Sequence, residues 1–272
     1  MSSSKPRLVA IRFTKRQLLK LPKAERELLL RVGLALNDLA LFQRIWASVI
    51  YREPKTPLAL EAQAIQGVGT LLVLVGKIHE TCKVFRQWFL ARPVGREYLR
   101  HFSVEHQTSV ATLKKLLNSD DLLTTIRNSF AFHYHDGDLS PFVDQLDDDD
   151  ILSMYLGAPD GNSMNTFASE AMFRSLLTAT REATPKAALD RIQDFAGEVI
   201  AALNAWGAAV QIVAVKKMLG NKHRYEECEI ADHEFLPQDQ ICLPFFMSVP
   251  ERHREQLNQR GTEKVGPTST SN

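Results

Sequence analysis

Three long stretches of this chain repeat apolar residues at spacings of three and four, and proline or glycine punctuates their ends. From Lys23 to about Arg52 the stripe runs through Leu28, Val32, Leu36, Leu39, Ile45 and Val49. From Leu58 to about Ala91 it runs through Ile65, Val68, Leu72, Val75, Ile78, Cys82, Phe85 and Phe89. A third begins at Thr184-Pro185 and stops near Gly220. That period is the signature of an α-helix with one face turned to a core. Pro22 stands at a helix start, where its missing N–H costs nothing, while Pro54, Pro57 and Pro93 interrupt the pattern between helices. Gly67, Gly69 and Gly76 lower the second helix's intrinsic stability and are expected to admit a close neighbour. The predicted fold is all-α, a bundle of long antiparallel helices.

Shorter elements fill the gaps. Arg7 to Phe13 reads as a strand or extended arm, and Thr14 as the cap of a brief helix to Leu21. Pro93 to His101 forms a short helix, Ser103 caps one to Leu117, and Ser119 caps the next, with Asp120 and Asp121 near its positive end. Ile151 to Leu156 and Ser163 to Ala168, around Pro159-Asp160-Gly161-Asn162, predict a small β-hairpin insertion over 151–168. Glu170 to Thr180 returns to helix, Arg224 to Ile230 reads as a strand, and Leu243-Pro244-Phe245-Phe246 as an apolar segment docked on the bundle. Residues 1–254 thus make one helical domain, and the polar residues 255–272 a disordered tail.

Bulk chemistry narrows the setting. A formal net charge of +1 creates no global field for nucleic acid, so any RNA contact needs a local basic surface. Cys82, Cys228 and Cys242 form no CxxC pair, which points away from zinc knuckles and disulfide frameworks and toward a reducing compartment. The N-terminal residues lack a signal peptide's apolar run. Leu71 to Val75 is too short to span a bilayer, and Asn204 and Gln211 interrupt Val199 to Val215, where about 20 apolar residues are needed. A cytoplasmic protein with no membrane span is expected.

The most distinctive string is Arg127-Asn128-Ser129-Phe130-Ala131-Phe132-His133, at the end of a helical pattern. It combines a permanent cation, an amide and an imidazole that titrates near neutrality. Arg127, Asn128 and, after four more residues, His133 resemble the signature of the HEPN superfamily: Arg, a polar residue, a short spacer and His on a late helix of a bundle. The resemblance covers roughly residues 1–135 and the helix from Pro185. It implies a metal-independent endoribonuclease without cofactor, of the kind found in toxin–antitoxin, phage-defence or RNA-processing systems, with RNA as substrate and an antitoxin or regulatory protein as possible partner. On that likeness Arg127 holds the scissile phosphate, His133 is the general acid or base, and Asn128 orients one of them.

Geometry adds a condition. Six positions on a straight helix separate Arg127 from His133 by about 240°. Either the helix ends near Phe132, or residues from two copies meet, and the superfamily's usual answer is a two-fold dimer. A structural reading uses the same residues: Leu123, Ile126, Phe130 and Phe132 as core, Arg127 paired with a neighbouring acid and His133 as an interior histidine. The alternative function is then a non-catalytic helical module of the same fold that binds a partner protein or nucleotide.

Further candidates surround the motif. Tyr134 and His135 follow it and could contact RNA. His133, His135, Asp136 and Asp138 lack a matching cluster elsewhere, so no metal site is expected. Arg92, Arg96 and Arg100, with His101 and Lys114-Lys115, offer a phosphate-binding stripe or a solvated face. Asn37-Asp38 and Gln43-Arg44 interrupt an apolar helix and need partners, with the motif helix a candidate. The run Asp147 to Asp150 reads as a solvated acidic loop.

Overall fold

A computed structural model describes residues 8–51, 53–119, 121–131, 144, 146, 148–149, 152–155, 163–220, 226–228 and 243–245. Helices dominate: α1 (Lys15–Leu18), α2 (Lys23–Ile50), α3 (Pro57–Val84), α4 (Pro93–Arg100), α5 (Val104–Ser119), α6 (Leu122–Ile126), α7 (Thr166–Thr180) and α8 (Pro185–Leu219). The fold is all-α, as the periodicity predicts. Two short antiparallel ribbons accompany the helices. β1 (Leu8–Ala10) pairs with β4 (Glu226–Cys228), joining the two strands predicted near the ends of the bundle. β2 (Met154–Tyr155) pairs with β3 (Met164–Asn165), Met154 facing Asn165 and Tyr155 facing Met164. The hairpin is therefore shorter than its alternation suggests, because helix α7 takes over at Thr166 and includes Ala168. The predicted turn Pro159-Asp160-Gly161-Asn162, with Ile151 and Leu156, lies outside the described residues.

Helix ends follow local chemistry. Thr14 and Gln17 form a reciprocal capping box on α1, and the hydroxyls of Thr56 and Thr184 accept the Ala59 and Ala187 N–H groups. The Ser103 hydroxyl accepts from His106 N. Ser119, by contrast, is no cap: its hydroxyl turns back to donate to Leu116 O, and α6 begins only after Asp121. Both α3 and α6 continue as wider π-helical turns, Phe85–Leu90 and Arg127–Ala131. The bond from Ala91 N to Arg86 O, five residues back, marks the first of them.

The long helices form the predicted bundle. Gln63 on α3 donates to Val49 O on α2, and Lys77 reaches Asp38 at 2.9 Å, so these two run antiparallel. α8 runs antiparallel to α2, with Lys217 at Glu25 and Gly207 against Leu36. At the centre Trp206 is fully buried, and Phe85 and Phe89 meet its ring edge-on at 5.2 and 5.6 Å. The tightest approaches found lie at two further glycines, Gly207 and Gly95. A Cβ on Gly67 would meet Val49 and Ile50 at an ordinary 3.8 Å and one on Gly69 would meet nothing within 4 Å. One on Gly207 would lie 2.6 Å from Leu36 Cδ1, and one on Gly95 only 1.8 Å from Phe89 O. Pro57–Leu90 and Pro185–Leu219 are, by length and composition, apolar enough to cross a membrane. The whole α3 helix passes that test although its most apolar core, Leu71 to Val75, is short. Both contribute residues to the hydrophobic core of the bundle, with 33% of the apolar window of Pro57–Leu90 and 56% of that of Pro185–Leu219 buried.

Candidate functional site

Arg127 is the first residue of the π-helical turns that extend α6, directly after the fully buried Ile126. Leu123 and Ile126 are core and Phe130 packs against it, so those parts of the structural reading hold. The guanidinium comes to rest on α3. Its Nε lies 3.4 Å from Glu80 Oε1, and its Nη1 donates to Asn128 Oδ1 at 3.1 Å. Asn128 is exposed and Arg127 retains 29% of its side-chain surface. The motif's first two residues thus stand together at the protein surface. His133, Tyr134 and His135 lie outside the described residues, as does Phe132. Because the turns after Arg127 are π-helical, the angle computed for a straight helix does not carry past it.

The imidazole that does stand beside Arg127 is His79. Its Nδ1 lies 3.6 Å from the same Glu80 oxygen, so it and Arg127 Nε are no more than about 7.0 Å apart. Lys83 closes the group with an ion pair to Glu80 at 2.8 Å. Burial, with the nearby Lys83 charge, holds the His79 imidazole below its usual pKa, against the opposing pull of Glu80. For Glu80 burial acts upward, but Lys83, Arg127 and His79 outweigh it and hold the carboxyl below its ordinary range. At neutral pH the group is an ionised carboxylate between two fixed cations, beside a neutral imidazole able to accept a proton. Sequence reading passed over His79, Glu80 and Lys83. The available signal was a polar His-Glu step between Ile78 and Cys82 inside the chain's most apolar helix. Cys82 itself is inert: burial pushes its thiol up to about 12.

The proposed arginine stripe is divided. Arg92 precedes α4 and turns toward Trp88, its guanidinium 3.5 Å from the ring centroid, while Arg31 stacks on the same ring at 3.6 Å. Arg92 also lies 4.0 Å from Glu27. Arg96, Arg100, His101, Lys114 and Lys115 are exposed. Asp38 reaches Lys77 on α3 rather than the motif helix, because α2 packs along α3 there. Leu243 N donates to Ser48 O at 3.3 Å, which docks that segment at the end of α2. Among the described residues, no three His, Cys, Asp or Glu side chains gather closely enough to hold a metal ion. No family model, curated protein or solved structure matches this chain.

Proposed function

We propose that the chain is a metal-independent endoribonuclease of HEPN type, acting in the cytoplasm as a homodimer, with Arg127, Asn128 and His133 at its centre. The observation that carries this reading is Arg127 itself: a part-exposed guanidinium beside Asn128 and within about 7.0 Å of a neutral imidazole, His79. An imidazole that stays unprotonated at neutral pH suits removal of a ribose 2′-hydroxyl proton. In that reaction O2′ bonds to phosphorus, the P–O5′ bond breaks, and a protonated histidine returns a proton to O5′. The products are a 2′,3′-cyclic phosphate and a 5′-hydroxyl. Arg127 balances the charge that grows on the non-bridging oxygens.

The second-copy reading draws on α2. Leu30, Leu34 and Leu41 are exposed at helical spacing, and Asp38 on the same face pairs with Lys77, one turn before Glu80. An apolar surface bordering the arginine cluster suits a two-fold interface that brings two clusters together. The Arg127–Glu80 ion pair favours the alternative, a non-catalytic module of the same fold that binds a partner protein or nucleotide.

RNA cleavage in EDTA, followed with the whole chain and with Arg127→Ala, His133→Ala and His79→Gln, tests the proposal. Loss of a phosphate-stabilising or proton-transfer group is expected to slow cleavage by about 10²–10³-fold in Arg127→Ala and His133→Ala. Activity that requires added metal, or that survives both substitutions, refutes it.

A further inference from the structure

A polar cleft of about 500 Å³ opens where the π-helical end of α3, the last turn of α5, the start of α6 and the α7–α8 turn meet. Among the described residues three arginines line it, Arg86, Arg181 and Arg191, with one acid, Asp121. Asn118, Ser119 and Thr124 add neutral hydrogen-bonding groups to its wall. That volume lies within the range of small-ligand pockets, but the lining lacks their usual apolar surface.

Two of the arginine heads are held by main-chain oxygens. Arg86 Nη2 donates to Leu117 O at 2.7 Å, and Arg191 Nη1 donates to the carbonyl of the fully buried Thr180. A guanidinium carries five N–H donors in a rigid fork, so a carbonyl bond such as that of Arg86 fixes the head without using all of its donors. A carbonyl orients the group without cancelling its charge. Arg191 also has a carboxylate close by, Glu182 at 3.7 Å. The third arginine is independently informative. Arg181 has φ 58°, and among the described residues no other non-glycine has positive φ. Glycine or asparagine ordinarily takes that left-handed position at a helix end, so an arginine there is held against its backbone preference.

Position links the cleft to the Arg127 cluster. Arg86 follows Glu80 by six residues on α3, about 9 Å along the axis, with Lys83 between them. Thr124 precedes Arg127 by three residues on α6. Both sites therefore lie along one seam between α3 and α6.

We infer that the Arg86–Arg181–Arg191 cleft binds a phosphate group, supplied by a ribonucleotide chain running along this seam or by a free phosphorylated ligand of nucleotide size. The inference goes beyond the Arg127 reading and does not require cleavage. Fluorescence anisotropy of the full chain tests it, using a 5′-labelled oligouridylate of about ten nucleotides with 2′-O-methyl riboses, which cannot be cleaved. Inorganic pyrophosphate and ATP serve as competitors. Arg86→Gln and Arg181→Gly are each expected to weaken binding about tenfold, as loss of one charged hydrogen bond does. Each should also flatten the dependence of log affinity on log salt by about 0.7. Arg181→Gly relieves the unfavourable backbone, so its Tm should hold or rise and misfolding cannot explain the loss.

Arginine-dependent binding of the oligonucleotide that millimolar pyrophosphate leaves intact assigns the phosphate to a chain; efficient competition by pyrophosphate or ATP assigns it to a free ligand. Wild-type affinity for all three probes in both folded variants, or no saturable binding by the unaltered chain, overturns the inference. Repeating the titrations in Arg127→Ala separates the two readings. A tenfold effect that persists there supports the cleft even where no cleavage is found, and cleavage without that effect leaves Arg127 standing alone.

Discussion

Replacing Lys217 by Met is a sharp test of how the bundle is held at the α2–α8 seam. Glu25 is buried, and its two oxygens have separate donors. Oε2 accepts the Tyr98 hydroxyl at 2.9 Å and Oε1 accepts Lys217 Nζ at 2.9 Å. Lys217 also pairs with Glu97 at 2.5 Å, and its Nζ stands 5.0 Å from the Tyr98 ring centroid. Methionine keeps an unbranched stem over that ring but leaves the Glu25 carboxylate without a cation. Breaking one side of a fully buried pair costs about 3–5 kcal/mol. Lys217 keeps 27% of its side-chain surface, through which water can reach Oε1. The expected cost is therefore nearer 2–3 kcal/mol, or a Tm lower by roughly 4–12 °C. Glu25→Gln removes the stranded charge, so Lys217→Met and Glu25→Gln should be sub-additive by at least about 1 kcal/mol in urea unfolding. Additive losses would refute the pairing.

The same variant carries a pH test. Burial would lower the Lys217 pKa, but its bonds to Glu97 and Glu25 outweigh burial and raise it. A base raised on folding contributes stability in full below its unfolded pKa, about 10.4, and loses it as pH climbs through the folded value. The stability gap between the two proteins should stay constant from about pH 7 to 9 and close above about 10.4. Burial, and then the bond to Glu25, also raises the Tyr98 phenol, which drains stability from both proteins in that window, so the difference is the quantity to read. A gap that already shrinks by about pH 8 would sink the argument.

Three further outcomes are expected. Gly95→Ala places a methyl group 1.8 Å from Phe89 O and should cost at least about 3 kcal/mol, whereas Gly69→Ala meets nothing and should gain about 0.5–1 kcal/mol of helix stability; Tm shifts of the same sign would contradict this. His79, held below its usual pKa by burial and then by Lys83, makes the native protein lose stability as pH falls below about 6.5, and His79→Gln should flatten that slope in urea midpoints taken from about pH 7.5 to 5. Parallel profiles for the two proteins would show that the imidazole is not the titrating group. Leu34→Glu should convert a dimer to a folded monomer in light scattering, and a wild-type chain that is already monomeric would remove α2 as the interface.

What the sequence made legible follows from the range of the forces involved. The stripes on α2, α3 and α8, the Thr14 and Thr184 caps and the proline starts are set within a few residues, so reading along the chain recovers them. Ser119 misled because Asp121 follows it within two residues and the hydroxyl had a closer acceptor in Leu116 O. Whether a missing Cβ matters depends on what lies opposite it: at Gly207 that is Leu36 on α2 and at Gly95 the Phe89 carbonyl six residues earlier, whereas Gly69 faces open space. Arg127 and Asn128 were legible as residues. Their surroundings were not, since Glu80 and His79 sit 47 and 48 positions earlier and join them only through the packing of α6 on α3.

The arginine cleft shows the same limit from the side of electrostatics. With 33 basic and 32 acidic residues the chain looks nearly neutral, and that average argues against a strong affinity for polyanions. Screening makes the average a poor guide, because at physiological salt a charge is felt over only about 8 Å. Within that radius a ligand in the cleft meets the guanidinium groups of Arg86, Arg181 and Arg191 and, among the described residues, the carboxylates of Asp121 and of Glu182 beside Arg191, while distant acids contribute little. These arginines come from α3, from the end of α7 and from α8, and no spacing rule connects them. A wide turn aids the arrangement on α3. Once its hydrogen bonds lengthen to five residues at Phe85, the helix no longer repeats its apolar stripe in step, and Arg86 reaches the α5 terminus while Phe85 and Phe89 stay on Trp206. Local positive charge in this fold is thus a product of packing and helix register, and the salt dependence of binding, rather than the net charge, is the quantity that measures it.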